Sequence, residues 1–174
     1  MFLRGVLLSV VAVLVSGCVT ERNGADYTSL SQKNGTPKAG QVRIVVLREK
    51  GYAGIVDQGW DVKLDGTPMR GLKTGTFIYA DRPVGRHQLS ATMELFTGVS
   101  QYDVTAESGR TYFFLARPSD RAKTLNAMSA ARGIAGLVVG AAVTSNNNNQ
   151  GPLDFFPLDE VAAKDMVNDL RLAE

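Results

Sequence analysis

From residue 41 onward, apolar and polar positions alternate along much of the chain with a period of two, the mark of half-buried strands. Residues 41–49, "QVRIVVLRE", form a β-branched run that predicts a strand. In "WDVKLDG", Trp60, Val62 and Leu64 share one face while Asp61, Lys63 and Asp65 share the other. Asp65-Gly66 then supplies a turn. "TFIYA" puts Phe77 and Tyr79 on one face. "RHQLSATMELF" sets His87, Leu89, Ala91, Met93 and Leu95 against Arg86, Gln88, Ser90, Thr92 and Glu94. "QYDVTAESGRTYFFLAR" predicts two strands that form a hairpin about Ser108-Gly109. "LDFFPL" predicts a last strand ending at Pro157. Short, regularly punctuated strands of this kind imply a mainly β fold, a small antiparallel β-sandwich.

The period changes to that of a helix at the C-terminus. Ala163, Met166, Val167 and Leu170 fall at i, i+3, i+4 and i+7, an apolar stripe suited to packing on the sheet. Asp159 is placed to cap this helix, with Glu160 in its first turn, where negative charge suits the helix dipole.

Residues at about 127–150 follow neither pattern and read as a Gly/Ala- and Asn-rich insertion. If helical, Gly133, Gly136 and Gly140 lie on one side, and Ile134, Leu137, Val138 and Ala141 on another. Gly136-x-x-x-Gly140 matches the small-x-x-x-small pattern of closely packed helices. A helix over 133–143 would be about 16 Å long, too short to cross a bilayer. Three uses stay open: packing on its own domain, a mobile insertion, or contact with a membrane or partner through Gly133, Gly136, Leu137 and Gly140. The four asparagines at 146–149 predict a flexible return loop.

Upstream of the alternating region the pattern is of two other kinds. Residues 19–40 are polar, without an apolar period, and residues 18–40 read as a flexible tether. As a coil of about 22 residues it would span roughly 25 Å. Before it, Arg4 precedes an apolar run of about eleven residues, well short of the roughly 20 that span a bilayer. Ser16 and Gly17 close the run, so residues 1–17 have the three-part plan of a secretory signal peptide.

Val15-Ser16-Gly17-Cys18 resembles the lipobox of bacterial lipoproteins, in which small residues admit the signal peptidase and the cysteine thiol is acylated. The resemblance implies cleavage before Cys18, lipidation of Cys18 with further acylation (palmitate) of its new amine, and membrane attachment through that lipid. One acyl chain holds a protein marginally, whereas two or more hold it stably. Cys18 is the single cysteine, so no intrachain disulfide is possible, and its use as an attachment point explains its isolation. Val19, where an aspartate tends to retain such proteins in the inner membrane, implies the outer membrane facing the periplasm.

Removing residues 1–17 takes away one charge, Arg4, so the formal +2 falls to +1. A near-neutral chain offers no electrostatic basis for binding nucleic acid. Its length suits one domain, residues 41–174, whose six phenylalanines, four tyrosines and one tryptophan can furnish a core.

The candidate chemistry is sparse. His87 is the single histidine, beside Leu89 on the apolar side of its strand, which suits a packed, hydrogen-bonded ring. No nucleophile-elbow motif accompanies it. One histidine and a lipidated cysteine cannot supply a zinc set. Asp57, Asp61 and Asp65 recur every four residues but lack the alternate-acid spacing of a calcium loop. "GLKTG" lacks the ending of a phosphate loop. No catalytic residue, cofactor or metal is indicated.

"VKLDGTPMRGLKTGTFIYADRPVGRHQLSAT" and "VTAESGRTYFFLA" resemble the PEGA-like arrangement of a strand, Asp-Gly turn, Gly-flanked turn, Pro-x-Gly-x-His strand and aromatic strand. With the lipobox and terminal helix, residues 42–172 resemble an uncharacterised family of bacterial lipoproteins, a domain of unknown function. The resemblance implies a small sandwich and nominates no catalytic residue. The expected function is non-enzymatic, a lipid-anchored binding or assembly module for an envelope protein or glycan. The alternative is an envelope hydrolase or a carrier of a small ligand.

Overall fold

The run 41–49 is apolar on both faces because both faces are covered. β1 (Gln41–Arg48) turns Val42, Ile44 and Val46 to one core and Val45 and Leu47 to another, all fully buried. Strands buried on both sides read as continuous apolar runs, not alternating ones. A computed structural model describes residues 24–51, 59–93 and 98–174. The expected signal peptide, Cys18 and the start of the expected tether, with Asp57, Glu94 and Leu95, lie outside the described residues.

Eight further strands complete two sheets among the described residues. They are β2 (Asp61–Leu64), β3 (Thr67–Pro68), β4 (Thr76–Pro83), β5 (Gly85–Thr92), β6 (Ser100–Ala106), β7 (Thr111–Pro118), β8 (Leu153–Leu158) and β9 (Arg171–Leu172). The first sheet has the order β8-β7-β1-β4-β9 and the second β3-β2-β5-β6. Asp65 (φ 53°) and Gly66 (φ 74°) make the tight turn between β2 and β3, as the Asp-Gly pair predicts. Pro68 lies on the edge strand of its sheet, where a missing amide costs no ladder bond.

The core between the sheets takes Val42, Ile44 and Val46 from β1, Val62 and Leu64 from β2, Leu89 and Ala91 from β5, and Phe114 from β7. On the outer face of the five-stranded sheet, Val45, Leu47, Phe77 and Phe113 are covered by two helices. One is α3 (Glu160–Asn168), whose Ala163 and Val167, with Leu170 beyond its end, form the predicted stripe. Asp159 caps it by accepting from the Ala162 amide at 2.9 Å. The other is α1 (Tyr27–Asn34), capped by Asp26, which accepts from the Ser29 amide at 2.8 Å. The molecule is a mainly β sandwich with its C-terminal helix, layered helices on sheet on sheet.

Several expectations need correction. Residues 18–40 are not a tether throughout, because Tyr27 and Leu30 of α1 are buried and Tyr27 meets Phe77 and Phe113 edge-on, with ring centroids 5.7 Å apart. Two apolar residues three apart are too short a period to stand out in a polar segment. The strands about Ser108-Gly109 do not form a hairpin. β6 pairs with β5, while β7 crosses to the other sheet and runs parallel to β1, so Gly109 turns the chain between sheets. The five-stranded sheet is therefore mixed rather than antiparallel, with a second parallel pair between β4 and β9. β8 continues through Pro157 to Leu158, since it is the edge strand and Pro157 faces Phe114 without a required amide.

Candidate functional site

The segment that fits neither strand nor packing helix is built from two short helical arms. α2 (Asp120–Val143) is interrupted at Gly133, whose φ of 58° and ψ of −140° suit glycine alone among ordinary residues. The chain reverses there. A side chain at Gly136 would collide with the Met128 carbonyl oxygen, and one at Gly140 would meet Leu125 Cδ2 at 2.9 Å. In a straight helix, residues eight or fifteen apart lie about 12 or 22 Å apart along the axis. These contacts require residues 134–143 to fold back along residues 120–132.

The base of this hairpin is clasped by polar groups. Ser119 caps the first arm, accepting from the Ala122 amide at 3.1 Å, and donates its hydroxyl to the Gly151 carbonyl at 2.7 Å. Arg121, buried, donates Nη1 to the Gln150 carbonyl at 2.6 Å and Nε to Thr144 Oγ1 at 3.3 Å. The Thr144 hydroxyl donates in turn to the Gly140 carbonyl at 2.7 Å. The Asn149 side chain donates to Asp154 Oδ1 at 2.6 Å and accepts from the Gly151 amide at 2.8 Å. In the return loop the Gln150 side chain also donates to the Thr144, Ser145 and Asn147 carbonyls. Spacing of asparagines carries no signal for such a network.

Of the residues singled out for contact, Gly136 and Gly140 face the first arm and are buried. Gly133 forms the tip, and Leu137 sits at the edge of the seam, exposed. The glycine seam is thus occupied from within. The outward surface consists of Ile134, Val138, Val139 and Val143, with Leu137 beside them. Between Asn126 and Ala135 no residue is buried, so beyond its base the hairpin stands off the sandwich.

His87 is buried at the other end of the molecule. Its Nδ1 lies 2.7 Å from Asp65 Oδ2 and its Nε2 lies 2.8 Å from the Pro83 carbonyl. Both ring nitrogens thus lie within hydrogen-bond distance of an oxygen. Partial burial pushes the Asp65 carboxyl up. The Gln88 amide, the His87 ring and Arg82 together outweigh that effect and hold it below the ordinary carboxylate value.

A third feature is an open groove of about 460 Å³ beside α1 and α3, lined by Thr28, Ser31, Gln32, Thr111, Glu160 and Lys164. Its floor is fixed by Arg43, which is buried on the helix-covered side of β1. Arg43 donates to both oxygens of Asp81 at 2.7 and 2.9 Å and to the Gly35 carbonyl at 2.9 Å. The carboxylate beside it raises the guanidinium's pKa above its ordinary value. Arg43 therefore ties the end of α1 to the sheet. The groove offers hydroxyl, amide and charged groups to a ligand. Among the described residues, no cluster of three His, Cys, Asp or Glu side chains is placed to hold a metal ion.

The architecture defines a class, a helix-flanked β-sandwich bearing a projecting helical hairpin. The chain matches no protein-family model, and no curated protein matches it in sequence.

Proposed function

We propose that this protein is a lipid-anchored, non-enzymatic module of a bacterial cell envelope, held at the outer membrane through Cys18 and facing the periplasm. The observation that carries the reading is the lipobox-like Val15-Ser16-Gly17-Cys18 at the end of a short apolar run. The PEGA-like turn motifs support membership of the lipoprotein family named above. The mature domain would bind or assemble with an envelope protein or a glycan, and the groove beside α1 supports this by setting Thr28, Ser31, Gln32, Glu160 and Lys164 in a partly apolar lining.

Lipidation is tested by mass spectrometry of the membrane-extracted protein. The wild type should carry an acylated Cys18 as its first residue, and Cys18→Ser should leave an unprocessed or unlipidated form. A wild type that is cleaved elsewhere, bears no acyl group and partitions into buffer would overturn the proposal. In intact cells, a photo-cross-linker at Gln32 should capture an envelope protein or glycan. Recovery of only uncross-linked protein would remove the groove from the reading.

A further inference from the structure

The outward surface of the second hairpin arm has no cover. Ile134 is 81% exposed, Val138 67% and Val143 69%. No charged residue occurs from Gly133 to Leu153. The arm is apolar around its whole circumference except where the two glycines meet the first arm. The first arm differs, with Lys123, Asn126, Ser129 and Arg132 exposed or partly so. Together the arms form an amphipathic pair, one polar and one apolar, of the kind that lies in a membrane interface. The second arm is about 15 Å long. That is enough to lie along the interface and too little to cross the bilayer.

Charge points the same way. In the first arm Lys123 pairs with Asp120 at 2.9 Å and Arg121 is buried in the clasp, while Arg132, beside the tip, is exposed. An exposed arginine at the rim of an apolar surface suits anionic headgroups.

The register of the sheet places the hairpin beside the start of the folded domain. Arg171, Thr76, Arg48 and Ala116 stand at about one level across β9, β4, β1 and β7. Ala25 bonds to Leu172 at that level on the β9 edge, where its carbonyl accepts from the Leu172 amide at 2.8 Å. Ser119, the cap of the hairpin, follows Ala116 by three residues at the same end of the sheet. Three strand spacings, about 14 Å, separate β7 from β9. Cys18 precedes Gly24 by six residues, which reach at most about 20 Å. A lipid on Cys18 and the apolar arm can therefore enter the same leaflet.

We propose that the second arm of the hairpin, through Ile134, Leu137, Val138 and Val143, inserts into the surface of an anionic bilayer as a second membrane contact beside the lipid. The occupant is a lipid surface rather than a second copy of the chain. The glycine seam that would allow close helix packing is already filled, and what remains exposed is convex apolar surface. Two separated contacts would fix the sandwich's orientation, which a lipid on a short tether would not. The geometric part of this inference rests on the lipidation of Cys18, whereas the exposed arm does not.

The test uses the full-length lipoprotein, reconstituted in phosphatidylethanolamine/phosphatidylglycerol vesicles. An environment-sensitive dye is attached to Val138→Cys or, at the far end of the second sheet, to Arg86→Cys. The dye at 138 should be blue-shifted and quenched by brominated acyl chains, and the dye at 86 should be neither. In the background Ile134→Asp, the quenching at 138 should be lost with thermal unfolding unchanged, since residue 134 touches no core. Equal solvent exposure at 138 and 86 would overturn the inference. So would shielding at 138 that brominated lipid does not affect and that disappears on dilution, the behaviour of a self-association face. Mass spectrometry of the same sample reports acylation separately. Quenching without an acyl group keeps the hairpin contact and removes the anchor, and an acyl group without quenching does the reverse.

Discussion

Replacing Gly136 by alanine should destabilise the hairpin, and the sign of that effect distinguishes a folded-back α2 from a straight one. In an exposed, continuous helix, Gly→Ala stabilises by about 0.5–1 kcal/mol, because alanine has less backbone freedom to lose. At Gly136 the added methyl group would run into the Met128 carbonyl oxygen, a backbone atom that cannot rotate away. Forcing two packed elements apart costs about 1–3 kcal/mol. The net expectation is a loss of about 1–2 kcal/mol, felt locally because the distal hairpin has few contacts with the sandwich. Gly140 is the internal comparison. Its nearest neighbours are Leu125 Cδ2 at 2.9 Å and Met128 Sδ at 3.2 Å, the ends of flexible side chains. Gly140→Ala should therefore be close to neutral, the helix gain offsetting a small repacking cost. Gly133→Ala should be the most harmful of the three, since its φ of 58° disfavours any side chain. Native-state hydrogen exchange of the α2 amides measures local opening, and calorimetry follows the sandwich. Increased protection in Gly136→Ala and Gly133→Ala would refute the hairpin, because only a continuous helix gains from both.

Two further perturbations probe how the rest of the molecule is held. Arg43→Met removes the side chain that ties Asp81 to the end of α1, and denaturant unfolding should show a loss of about 1–2 kcal/mol, less than for a fully buried ion pair because Asp81 is a third exposed and is rehydrated. Fluorescence of a probe on α1 should change before the global transition, and a shift within experimental error would remove Arg43 from that role. Asp65 has its carboxyl held low, so its contribution is complete above the ordinary carboxylate value near 3.8 and is lost as pH falls through the lower folded value. Asp65→Asn should thus be less stable than the wild type at neutral pH, with the two curves converging in acid; a gap that widens on acidification would contradict this assignment.

Strands of the second sheet were legible in the sequence because each presents one side to an apolar core and the other to water, and β1 because, covered on both faces, it reads as one β-branched run. β2 and β5 keep strict alternation, and Asp65-Gly66 names its own turn through the positive φ of both residues. α3 was legible for the same reason, with a capping aspartate and a stripe at helical spacing that meets the sheet. These are local patterns, and local physics suffices to read them.

Pairing was another matter. Whether β7 folds back on β6 or crosses to lie parallel to β1 depends on which partner buries Phe113 and Phe114 on both sides, a choice made between residues some 65–70 positions apart. α1 has almost no apolar period of its own and exists because Tyr27 and Leu30 find a waiting surface on Phe77 and Phe113. The glycine spacing at 133, 136 and 140 announced close approach but not its partner. Only the reversal at Gly133 decided that the seam is filled by residues of the same helix, and thereby turned Ile134, Val138 and Val143 outward. Composition and period determine which residues seek burial. Tertiary structure decides which of them obtain it, because burial is a property of distant segments meeting and cannot be read from either one alone.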